Sequence, residues 1–250
     1  MGLPEKPTRV FHYTSIDTLS MILTTRCLRF NRLDRADDVT EVSWLPDQRL
    51  AKALYISAWT SDEHENLALW ASYGIGSGGV RISLPIEMFN SYSIELKHSD
   101  PNKKPAVVQS AIPSEMYHNS GVIFIPPLQF KWGDNVRPMQ YKPDARSIKR
   151  KASSYAGPGG INFWHELPFI KHSAWSIQSE IRFLITAFFD GSQSPVTADT
   201  AITKARGATE YYLQGIPPAF EHFDVPVTAE VLTNEIADVL GGECYPGPEG

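Results

Sequence analysis

The chain has 250 residues, 42% of them hydrophobic and 20% charged, the balance of a globular protein and not the low-hydrophobicity, high-charge signature of disorder. A chain of this length can bury roughly three quarters of its unfolded surface in one core, which predicts a single domain over 1–250 with its core at about 9–241. A net charge of −5 opposes nonspecific coating of nucleic acid, which rests on neutralising phosphates, and the longest apolar runs, such as Ile181 to Phe189, fall well short of the roughly 18 residues of a membrane span.

The N-terminus, MGLPEKPTRV, has no apolar signal core, and Lys6 stands where a myristoylation motif has Ser or Thr. No secretion and no membrane anchoring are expected. Arg9 to Tyr13 reads as a strand that feeds a helix, because Ile16, Leu19, Ser20 and Leu23 recur at helical spacing behind Thr14, Ser15 and Asp17, which can satisfy first-turn amides. Cys27 to Phe30 predicts a second strand, followed by the charged loop NRLDRADDVTE. Leu54 to Trp59 is apolar enough for a buried strand.

Asp62 to Tyr73 is predicted to be helical, with Asp62, Glu63 and Glu65 in its first turn, where the helix dipole favours negative charge. GIGSGG breaks it, and VRISL resumes as a strand. From Tyr92 to Tyr141 the chain offers short β-like runs (VVQSAI, GVIFI, LQFKW) separated by Pro and Gly, with no order legible. Lys142 to Tyr155 predicts a basic helix carrying Lys142, Arg146, Lys149, Arg150 and Lys151. Phe163 to Lys171 predicts a short helix, Glu180 to Phe188 the strongest strand, and Ala229 to Leu240 an amphipathic helix closed by Gly241 and Gly242.

Familiar motifs fail on context. Gly74, Gly76 and Gly79 satisfy GxGxxG, but the dinucleotide fingerprint needs a strand before and a helix after, and here the order is reversed. His165, Glu166 and His172 lack the one-turn spacing of a zinc helix, so no metal is expected. Cys27 and Cys244 are the two cysteines, without a CxxC, which points to a reducing, cytoplasmic setting. A nucleophile elbow and a P-loop are both missing from the sequence.

Three separated blocks remain: FHYTS at Phe11 to Ser15, ISAWTSDEHENLALWASYG at Ile56 to Gly74, and KHSAWSIQSEIRFLI at Lys171 to Ile185. On the HYTS start, the ALWASYG helix and the E-R-F strand, the chain resembles a widespread bacterial family of unknown-function domains, over Phe11 to about Gly241. More loosely, the blocks resemble the three-part layout of the ADP-ribosyltransferase superfamily. That resemblance implies an α+β fold of mixed and antiparallel sheets flanked by helices, with NAD as substrate and no metal. It places His12 on NAD, Ser57 and Tyr73 in the middle block, and Gln178 with Glu180 as a Q-x-E pair, Glu180 being the catalytic acid residue.

Breaking the nicotinamide–ribose bond builds positive charge on the ribose, which a fixed carboxylate such as Glu180 stabilises while holding a ribose hydroxyl. His12 and Thr14 offer hydrogen bonds, Tyr13, Trp70 and Tyr73 offer rings for nicotinamide, and Gln178 orients the acceptor. The expected acceptor is a macromolecule, nucleic acid or protein; the basic helix and stacking aromatics favour RNA or DNA. A toxin or phage-defence effector with an antitoxin-like protein partner follows from this reading. Against it stand an NAD glycohydrolase, a noncatalytic ligand- or protein-binding module, and the plainer view of Glu180 and Arg182 as a surface ion pair on one strand face.

Overall fold

In the computed structural model, residues 3–38, 40–45, 48–73, 78–96, 100, 102–119, 122–125, 128–144, 166–189 and 220–231 are described. Strand β1 (Arg9–Ser15) runs into helix α1 (Ile16–Thr25) and then β2 (Cys27–Arg32). A 3-10 turn at Leu33–Arg35, the short α2 (Thr40–Ser43) and a second 3-10 turn at Gln48–Ala53 lead into β3 (Leu54–Thr60). Helix α3 (Leu67–Tyr73), β4 (Gly79–Pro85), β5 (Tyr92–Leu96), β6 (Ala106–Ser110), α4 (Ser114–Asn119) and β7 (Val122–Ile125) follow. The short β8 (Val136–Pro138), β9 (Gln140–Lys142) and β10 (Ile170–His172) precede the long β11 (Glu180–Phe189), and β12 (His222–Pro226) comes last.

The strand-to-helix entry forms as its residues dictate. The Ser15 hydroxyl accepts the Thr18 amide at 3.2 Å, and the helix ends at Arg26, whose amide donates to the Ile22 carbonyl and whose φ of 55° turns the chain out of the helix. The predicted helix from Asp62 does not start there. The Arg81 guanidinium lies 3.9 Å over the Phe11 ring and donates to the carbonyls of Asp62 and Glu63, while Asn66 Oδ1 accepts from the Ala68 and Leu69 amides and thereby caps α3. A side-chain cap and a captured loop outcompete the favourable dipole of the acidic residues.

Eight strands form the main sheet, in the order β12-β2-β3-β1-β4, with β11 on the opposite edge of β3 and β7 and β8 sharing the far edge of β11. β11 and β3 are antiparallel along their length, from Glu180 opposite Thr60 to Thr186 opposite Leu54. The other edge of β3 is divided. β2 meets it at Tyr55 and Ile56, and β1 meets it at Thr60; among the described residues, Ser57 to Trp59 have no strand partner there. The strands β1 and β2 diverge across this gap, and α1 joins them. β5 and β6 form a separate antiparallel pair, and β9 and β10 a parallel one.

Each face of the sheet carries an apolar cluster. Val10, Phe30, Tyr55, Trp59, Ile181, Phe183, Ile185 and Phe223 belong to one. Leu33, Trp44, Leu54, Ile56, Phe169, Ile170 and Leu184 belong to the other. β11 therefore alternates between two buried faces, which accounts for its run of apolar residues. Glu180 and Arg182 share the second face with Leu184, under the chain that carries α2 and β10.

Phe163 to Lys171 was expected to be helical; from Glu166 on, the structure has a 3-10 turn at Leu167–Phe169 and then β10, because Pro168 withholds an amide and Ile170 to His172 pair with β9. LQFKW contributes no strand, only a bridge from Trp132 to Val136. Of the basic helix expected at Lys142 to Tyr155, Lys142 sits in β9 and 145–155 lie outside the described residues. The last predicted helix begins at 229–231 as expected, and 232–240 lie outside. Among the described residues no helix is long and apolar enough to cross a membrane.

Candidate functional site

A cleft of about 590 Å³ opens where β1 and β2 diverge along β3, a size within the roughly 300–1,000 Å³ of small-molecule and cofactor sites. Its walls bring together His12, Tyr13 and Thr14 from β1, Ser57 from β3, Tyr73 from α3, Gln178 from the 3-10 turn Ser173–Gln178, and Glu180 from the head of β11. Trp70 does not join them. It packs edge-on against Tyr13 at 4.9 Å and supports the wall from behind.

The missing ladder on β3 shapes the His12 environment. His12 Nδ1 lies 2.9 Å from the Ala58 carbonyl, and since a carbonyl only accepts, Nδ1 carries the proton and Nε2 is left as an acceptor. The ring packs at a tilt of 42° against Trp59, with centroids 5.1 Å apart. Burial holds its pKa below the ordinary histidine value, against the opposing pull of the Ala58 carbonyl, so the imidazole is neutral. Ser57 accepts a hydrogen bond from the Trp59 indole at 3.0 Å, and the Tyr13 hydroxyl accepts the Asn66 amide at 2.9 Å.

At the other wall, Ser179 takes a left-handed conformation, φ 43° and ψ 44°, uncommon for a residue with a side chain. Gln178 and Glu180 both meet the Lys171 ammonium, at 2.9 and 3.0 Å. Glu180 Oε1 accepts from the Arg182 guanidinium at 2.7–2.8 Å, and its backbone amide donates to the Tyr141 hydroxyl at 2.9 Å; burial pushes that phenol up to about 12. The Gln178 amide donates to the Tyr73 hydroxyl at 3.4 Å, and Tyr73 in turn donates to Asp37. The Tyr73 pKa is raised, first by burial and then by Asp37.

Glu41 completes this wall. It binds Arg182 through both carboxylate oxygens, at 2.7 and 3.1 Å, and lies 3.5 Å from Lys171. Its pKa is raised, burial outweighing the two cations. Glu180 and Arg182 are thus not a surface pair: their side chains are 4% and 1% exposed. Of the three residues whose spacing spoke against a zinc helix, two serve local structure. Glu166 pairs with Arg137 at 2.6 Å and His172 Nδ1 accepts the Ala174 amide, while His165 lies outside the described residues.

Toward β2 the cleft is lined by Arg29, Arg32 and Arg35. Arg29 forms a bidentate pair with Asp224 at 2.9 and 3.1 Å, Arg32 binds Asp34 and Glu221, and Arg35 also contacts Glu221. The sequence reading did not single out Glu41, Lys171, Arg182 or Asp37 as site residues. Lys171 directly follows the apolar PFI run, a visible signal of a buried lysine, whereas Glu41 ends a charged loop that reads as solvated. Comparison with protein-family models, with curated proteins and with solved structures yields no match for this chain.

Proposed function

We propose that the cleft binds NAD and that the chain is an NAD-dependent ADP-ribosyltransferase acting on a macromolecular acceptor, with an ADP-ribosyltransferase-like fold. The observation that carries this reading is the meeting of His12, Ser57, Tyr73, Gln178 and Glu180, from three separate blocks of sequence, on one cleft. In the reaction the bond from ribose C1′ to the nicotinamide nitrogen breaks, its electron pair leaving with neutral nicotinamide. The acceptor forms a new bond to C1′ and loses its proton to solvent.

Glu180 suits the positive charge that builds on the ribose. A carboxylate has about four acceptor positions; Arg182 takes two contacts at Oε1 and Lys171 one at Oε2, which leaves Oε2 one lone pair for a ribose hydroxyl. Asp37, Glu41 and Glu180 outnumber Lys171 and Arg182 around this wall, so the local field favours a cation. His12 Nε2 accepts from the carboxamide or a ribose hydroxyl, Tyr73 offers a ring, and the Arg29, Arg32 and Arg35 end suits the diphosphate once it exchanges with Glu221.

The test is incubation of the purified protein with labelled NAD and bacterial lysate, with and without nuclease, beside the Glu180→Gln variant. Nicotinamide release and label transfer from the wild type, reduced about 100-fold or more in the variant, are expected; nuclease-sensitive label identifies a nucleic-acid acceptor. Release without transfer means water is the acceptor. One observation favours a noncatalytic binding module instead: three of the Glu180 acceptor positions are already occupied. That reading requires wild type and variant alike to release no nicotinamide.

A further inference from the structure

The four charged groups beneath the cleft form a closed ring of alternating sign. Glu41 joins Arg182 at 2.7 Å, Arg182 joins Glu180 at 2.7 Å, Glu180 joins Lys171 at 3.0 Å, and Lys171 returns to Glu41 at 3.5 Å. No side chain of the four is more than 4% exposed. They come from α2, β10 and β11, so the ring exists only in the folded chain.

The Lys171 ammonium has three hydrogens, and its three nearest acceptors are Gln178 at 2.9 Å, Glu180 at 3.0 Å and Glu41 at 3.5 Å. Asp37 is more distant at 3.6 Å, and the Trp175 ring lies 4.7 Å away. Burial alone would depress the lysine pKa, but Glu180 and Glu41 outweigh it and the net direction is up. A charged lysine held by two hydrogen bonds and two further carboxylates is not a nucleophile. Its geometry is that of a clamp, holding the two polar side chains at the head of β11 to one point.

We propose that Lys171, balanced by Glu41, is a positioning residue: it fixes Gln178 and Glu180 in the orientation they present to the cleft. Stability alone is a weak reason for such a ring, since replacing buried ion pairs by apolar residues of similar volume is often neutral or stabilising. An apolar floor would fill the same space without aiming the free lone pair of Glu180 Oε2. The proposal rests on the NAD reading for what the oriented groups do, and on the ring alone for the orientation itself.

Two experiments separate these. In the first, removal of Lys171 is balanced by removal of one negative charge, in the double variant Glu41→Gln/Lys171→Met, which leaves the Arg182–Glu180 pair neutral. Nicotinamide release should fall at least 30-fold in kcat with KM for NAD changed less than about threefold. Adding Glu180→Gln to this background should cost little more, because the clamp acts through Glu180; fully multiplicative losses overturn the proposal.

The second experiment uses no NAD. In ¹⁵N NMR of the whole protein, one lysine ammonium should exchange slowly with water, vanish in Lys171→Met, and shift in both Glu180→Gln and Gln178→Ala. An ammonium that ignores both substitutions, or no protected ammonium, overturns the clamp. A protected ammonium that responds to both, in a wild type that releases no nicotinamide, supports the clamp and sinks the NAD reading alone.

Discussion

The cleft carries pairs of carboxylates with basic groups at both ends, in different surroundings. At the β11 end, Glu41, Lys171, Glu180 and Arg182 are at most 4% exposed and close on one another. At the β2 end, the Arg29 and Asp224 side chains are 46% and 40% exposed, and Glu221 is 58% exposed while serving two arginines. Water screens the Arg29–Asp224 pair and the Glu221 contacts, so their geometry is exchangeable, although Arg32 with Asp34 is more enclosed, at 9% and 20%; the first set excludes water and is held in place by its neighbours. The difference separates a group of charges fixed by one another from one whose acids are open to exchange.

The contrast breaks most visibly by removing one member of the buried ring. Glu41→Ala leaves Arg182 without its bidentate partner and should reduce stability by about 3–5 kcal/mol, measured by urea denaturation; a loss under about 1 kcal/mol would mean that the ring is wet. Next in size is Ser179→Val. A β-branched residue is strained at φ 43°, and the variant should lose about 1–3 kcal/mol and reduce nicotinamide release with it, since Gln178 and Glu180 flank this residue.

A pH effect marks the boundary between the two ends. Burial keeps the folded pKa of His12 below its ordinary value of 6.5, so the unfolded chain binds the proton first. The stability His12 contributes is complete above 6.5 and lost as pH falls through the folded value. The wild-type Tm should therefore decline on acidification below that point, and His12→Gln should flatten that part of the curve; an unchanged slope removes His12 as its origin. The smallest change is expected at the open end. Arg29→Ala should cost only about 0.2–1 kcal/mol, less at high salt, while weakening NAD binding if the diphosphate lies there, as titration calorimetry would show.

Sequence periodicity determined the order β1, α1, β2, β3, β4 and β11, because these elements are long enough for alternation or a cap to show, as Ser15 does for α1. It also determined which blocks carry polar and aromatic residues at strand ends, and His12, Ser57, Tyr73, Gln178 and Glu180 all reach one cleft. Short strands such as β8, β10 and β12 were not legible, since three to five residues have no period of their own and form because a neighbour pairs with them. The expected start of α3 at Asp62 gave way to Arg81, eighteen or more residues away in sequence.

What only the tertiary structure decided is which charges meet. Glu180 and Arg182 share a strand face by local rule, and that much is visible from their spacing. Their burial is not, because it depends on the chain carrying Glu41 and Lys171 crossing the same face: Glu41 is 141 residues from Arg182 in sequence and 2.7 Å away in space. A charge read in its own stretch of sequence looks solvated; the fold makes it structural by removing its water and supplying a partner.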